Sequence, residues 1–89
     1  MHYKYKPQRS LESRKFNVNQ VVCKIDNKPS EYSCLKVVSP NYCGSKCLYY
    51  YTVVSLADST FVRSISNITE DNYRDVTDYA KQHFPEYLI

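Results

Sequence analysis

The sequence predicts a small α+β fold: an antiparallel β-meander of about four strands, with one C-terminal amphipathic helix packed on one face and disulfides as staples. Three observations predict it. Runs rich in apolar and β-branched residues recur between Phe16 and Ser66, turn-forming residues separate them, and a helix-period pattern follows from Thr69 to Phe84. At 89 residues the chain forms one domain, because a second core would leave each half below self-stabilising size.

Residues 1–15 read as a basic N-terminal arm. Lys4, Lys6, Arg9, Arg14 and Lys15 face only Glu12, and the segment carries no apolar period. The single α+β domain then covers residues 16–89. Phe16 to Ile25 is the first expected strand, with Phe16, Val18 and Val22 on one side and Val21, Cys23 and Ile25 on the other. Asp26-Asn27-Lys28-Pro29-Ser30 is a turn cluster, so Glu31 to Ser39 reads as the returning strand of a hairpin. Ser39 to Ser45 is the next loop and holds the only glycine, Gly44.

Lys46 to Leu56 is dense in Tyr, Val and Thr, which favour a pleated surface, and Ala57-Asp58-Ser59 separates it from a fourth strand at Thr60 to Ser66. Thr69 is placed to cap a helix, with Glu70 and Asp71 in its first turn and Ile68 able to staple onto Tyr73. Tyr73, Val76, Ala80 and Phe84 share the apolar face of that helix, and Pro85 stops it.

A domain of this size has a marginal core, and four cysteines in a short chain suit a covalent framework. A turn centred between Lys28 and Pro29 sets Cys23 opposite Cys34, so the preferred pairing is Cys23 with Cys34 and Cys43 with Cys47. A shifted register leaves the crossed pairings open. Zinc ligation and free thiols are the rivals; Cys-x-x-x-Cys followed by a strand fits neither a redox motif nor a zinc knuckle.

Residues 1–19 hold no apolar run of signal-peptide type, so the expectation is a secreted protein whose Met1 replaces a removed leader, with a cytoplasmic protein as the alternative. Asn67-Ile68-Thr69 is an N-glycosylation sequon compatible with secretion. No stretch approaches the roughly 18 apolar residues of a membrane span. Tyr42-Cys43-Gly44-Ser45-Lys46-Cys47 resembles the cysteine-bearing N-terminal stretch of small secreted fungal ribonucleases, a fold reused by some fungal effectors. The resemblance covers six residues. Those enzymes are glycine-rich and continue into a helix, whereas a strand is expected here, and no catalytic residue carries over.

An active site is hard to assemble from the remaining residues. Acid-base chemistry needs a His or Glu with a partner within hydrogen-bond reach. Of two histidines, His2 lies in the arm and His83 beside the apolar helix face. No nucleophile elbow is present, and one glycine excludes a phosphate loop. No cofactor and no metal are expected.

Ten tyrosines are the most unusual feature of the composition. Tyr49-Tyr50-Tyr51 must alternate across a strand, so Tyr50 opposes its two neighbours, and phenols on an open face are natural anchors for a partner. The bland reading is that these rings cover a thin core. Tyr3-Lys4-Tyr5-Lys6 interleaves aromatics with cations, as binders of single-stranded nucleic acid do; most such tails are simply solvated. The expectation is a non-enzymatic, disulfide-bonded secreted protein that binds another protein, in the manner of a toxin, inhibitor or host-targeted effector. An RNA-directed protein of ribonuclease-like fold and an intracellular zinc module are the alternatives.

Overall fold

A computed structural model describes residues 14–46 and 48–88. Tyr3, Lys4, Tyr5, Lys6 and Cys47 lie outside the described residues. The chain forms β1 (Val21–Lys24), β2 (Leu35–Cys43), β3 (Leu48–Ser55), β4 (Val62–Ser66), a 3-10 turn (Thr69–Asn72), β5 (Tyr73–Asp75), α1 (Thr77–His83) and a last 3-10 turn (Pro85–Tyr87). The five strands make one sheet in the order β4-β3-β2-β1-β5, and every pairing is antiparallel. The fold is therefore α+β, with a four-strand meander as expected and a fifth strand added beyond β1.

The first expected strand is shortened at its start. Asn19 adopts φ 73, a left-handed conformation that Asn tolerates better than branched residues. Its N–H donates to Val37 O at 2.8 Å, while Gln20 N–H bonds Asn17 O, so the chain turns before pairing begins at Val21. Val18 is left exposed as a result.

The second strand begins later and runs further than expected, passing straight through Pro40. Leu56 N–H donates to Cys34 O, and Ser55 N–H donates to Phe61 O. Even-numbered residues of β3 thus bond β2 and odd-numbered ones bond β4. Pro40 sits opposite Tyr51, an odd-numbered residue, so its missing N–H falls on the side where β1 has already ended. No ladder bond is lost, and a register shift between Val37 and Ser39 lets the strand continue.

The largest departure lies in the expected helix, which the chain divides into three pieces. Thr69–Asn72 is a 3-10 turn, Tyr73–Asp75 is β5, and only Thr77–His83 is α-helical. The outer edge of β1 accounts for this. Its backbone groups need partners, and β5 supplies them in the register Val22 to Asp75, Cys23 to Arg74 and Lys24 to Tyr73. Asp75 then accepts from Thr77 N–H at 2.9 Å, which starts α1. Thr69 caps nothing; its hydroxyl donates to Ser66 O, and Ile68 is 72% exposed rather than stapled to Tyr73. Pro85 does end the helix, opening the last 3-10 turn.

The sheet carries a core cluster on each face. Phe16, Val22, Leu35, Val37, Tyr49, Tyr51, Val53, Ile65 and Tyr73 form one. The other is Val21, Cys23, Cys34 and Leu56 beneath Val76, which precedes α1, and Ala80 within it, with Phe84, Tyr87 and Leu88 packed alongside. Val76, Ala80 and Phe84 face the sheet as expected, while Tyr73 belongs to the opposite cluster. Among the described residues, no helix is long and apolar enough to cross a membrane.

Candidate protein-binding face

Strand β3 sorts its tyrosines by strict alternation. Tyr49 is 1% and Tyr51 0% exposed, whereas Tyr50 is 40% exposed on the face that carries α1. That helix packs over the β1 end of the face and leaves the β3-β4 end open. The open region is built in cross-strand rows: Asn41, Tyr50 and Ser66; then Ser39, Thr52 and Ser64; then Lys36, Val54 and Val62. Val62 is 61% exposed.

Two hydrogen bonds stiffen the region: Asn41 Nδ2 donates to Thr52 Oγ1 at 3.2 Å and to Ser39 O at 3.3 Å. The result is a surface of hydroxyl and amide groups around one exposed phenol, with Val54 and Val62 as an aliphatic border and Lys36 beside them. Such a surface offers area and hydroxyl contacts at low conformational cost, the chemistry of protein recognition. Of the three tyrosines singled out by the sequence, only Tyr50 is placed to take part.

Tyr49 and Tyr51 serve the opposite cluster. Tyr49 packs against Tyr42 with ring centroids 4.8 Å apart, and Tyr51 meets Phe16 edge-on at 5.5 Å. The Tyr51 hydroxyl donates to the buried Glu70 carboxylate and accepts from the N–H groups of Lys15 at 3.0 Å and Phe16 at 3.3 Å. Burial, then the Glu70 carboxylate, pushes the phenol up to about 12. Lys15 Nζ donates to Glu70 O at 2.8 Å and pairs with Asp71 at 3.7 Å. Arg14 and Lys15, assigned by sequence to the arm, thus include an anchor of the folded domain. From the sequence Glu70 reads only as a helix-start acid, because its partners stand 19 and 55 residues away.

Cys23 and Cys34 are both fully buried, as free thiols beneath α1. They fall one position beyond the Val22 to Leu35 pair, as the hairpin argument requires. Cys34 directs its carbonyl to Leu56 and its N–H to Ser30, away from β1, which makes the cysteines a non-hydrogen-bonded cross-strand pair. Such pairs have Cα atoms about 4.5 Å apart, inside the roughly 4.4–6.8 Å span of bridged cysteines. Burial, then the neighbouring Cys23, raises the Cys34 thiol. Cys43 lies at the far end of β2, where the Ser45 hydroxyl lowers its thiol.

His83 is exposed and stacks on Tyr79 with centroids 4.2 Å apart. Among the described residues, no group of three or more His, Cys, Asp or Glu side chains is placed to hold a metal. Compared with known proteins, the chain matches no family model, no curated protein and no solved structure.

Proposed function

We propose that this is a secreted, non-enzymatic protein that acts by binding another protein through the open region of its sheet, with Tyr50 as the central anchor. The observation that carries this reading is the contrast along β3: the neighbours of Tyr50 are spent on the core, while Tyr50 itself is 40% exposed in the row of Asn41 and Ser66, on the part of the face that α1 leaves free. A large rigid ring with a polar tip is among the residues that most often dominate binding energy. Toxins, inhibitors and host-targeted effectors of this size act in the same manner.

Disulfide stabilisation belongs to the same proposal. The facing of Cys23 and Cys34 in adjacent strands supports a bond between them in an oxidising compartment, formed before α1 closes over the thiols. A Cys43–Cys47 bond is proposed from sequence spacing alone.

The test uses immobilised wild type, Tyr50→Ala and a control variant, Lys81→Ala, each confirmed as folded. A protein retained by wild type and Lys81→Ala but lost by Tyr50→Ala supports the reading. Equal retention by all three, or cleavage of RNA by the wild type, contradicts it.

A further inference from the structure

The turn after β4 carries a modification signal that the binding face does not use. We propose that Asn67 is an N-glycosylation site, an inference that rests on the secretory reading above. Asn67, Ile68 and Thr69 form the acceptor triplet, with no proline in the middle. The structure sets this triplet on a surface turn between β4 and the 3-10 turn, closed by Glu70 N–H on Asn67 O at 3.3 Å and Thr69 N–H on Ser66 Oγ at 3.4 Å.

Two features of the turn are poor choices for the bare fold. The Asn67 side-chain oxygen is buried and has no hydrogen-bond partner among the described residues, a state that generally costs stability. Beside it, Ile68 is 72% exposed. A sugar at Asn67 makes sense of both. The carboxamide oxygen and nitrogen diverge from Cγ, so an inward oxygen sends Nδ2 outward, the direction a glycan must leave, and the first sugar ring then covers Ile68. One position beyond Ser66, Asn67 falls on the side of Tyr49 and Tyr51 rather than that of Tyr50, so the glycan leaves the binding face free.

The donor is a lipid-pyrophosphate-linked oligosaccharide. The amide nitrogen bonds to its anomeric carbon, the carbon–oxygen bond to pyrophosphate breaks, the lipid pyrophosphate departs with the electron pair, and the amide loses one proton to the transferase. In the fold the Thr69 hydroxyl donates to Ser66 O, so transfer takes place on the emerging chain before this turn closes.

The experiment translates the full chain, behind a cleavable leader, into endoplasmic-reticulum microsomes. The wild-type chain is expected to gain one glycan, seen as a single upward gel shift reversed by endoglycosidase. Asn67→Gln and Thr69→Ala abolish the shift, and Thr69→Ser retains it. A protease-protected wild-type chain without the shift overturns the site, whatever its cysteines have done. A shifted chain whose Cys23 and Cys34 remain free thiols keeps the site and overturns the disulfide part of the secretory reading.

Discussion

The Tyr51 hydroxyl donates to the carboxylate of Glu70, and this bond joins the interior strand β3 to the segment that carries the chain from one edge of the sheet to the other. The same oxygen accepts from Lys15 and Phe16, so the entry of the chain and its crossover are fixed at one buried point. Glu70, at 3% exposure, is a buried polar side chain whose burial these partners offset.

Tyr51→Phe is expected to destabilise the domain by about 1–3 kcal/mol, because it leaves a carboxylate and two N–H groups short of a buried partner while keeping the ring. Urea unfolding measures this. A midpoint unchanged from wild type would show that the clasp contributes nothing.

The clasp also gives an alkaline signature. The folded state binds the neutral phenol, and its pKa rises from near 10 to about 12. Its contribution is therefore complete below about pH 10 and is lost as pH climbs through about 12. Melting temperature followed over that window should fall more steeply for wild type than for Tyr51→Phe. Tyr87, raised by its hydrogen bond to Glu31, is common to both proteins and cancels in the comparison.

A chain begun at Asn17 should be less stable than one begun at Arg14, since it lacks the Lys15 and Phe16 amides and the Phe16 ring that is 1% exposed. Loss of a buried aromatic ring costs about 3–5 kcal/mol. Equal denaturation midpoints for the two would remove the segment from the core.

These contacts mark where sequence reasoning reached its limit. Periodicity of two assigned Tyr49 and Tyr51 to one face and Tyr50 to the other, and the turn at Lys28-Pro29 set Cys23 against Cys34; both are local rules. The meander was legible for the same reason. The division of the final helix was not, because Tyr73, Arg74 and Asp75 fit a helical face as well as a strand. The choice was made by the free edge of β1, some fifty residues earlier in the chain. The half-open sheet face was likewise visible only in outline, since it depends on α1 being 7 residues long and seated over β1.

Cys23 and Cys34 give a chemical prediction. Under oxidising refolding, peptide mapping should recover them in one linked pair, and reduction should lower stability by about 2–4 kcal/mol, an effect much smaller in Cys34→Ala, where only the short Cys43–Cys47 loop remains to be opened. A map linking Cys23 to Cys43 instead would contradict the cross-strand geometry.

Tyr49 and Tyr50 separate core from surface. Tyr49→Ala should cost about 3–5 kcal/mol, as buried aromatic truncations do, and Tyr50→Ala about 0.5 kcal/mol or less, as surface changes do. The measurement that bears most directly on the binding face takes a protein captured by the wild type and determines its affinity for wild type and folded Tyr50→Ala by titration calorimetry. The expected result is a loss of about 2 kcal/mol, roughly thirtyfold in Kd, with melting temperature preserved. Equal affinity of the two proteins for that partner would contradict the assignment of Tyr50 as its anchor.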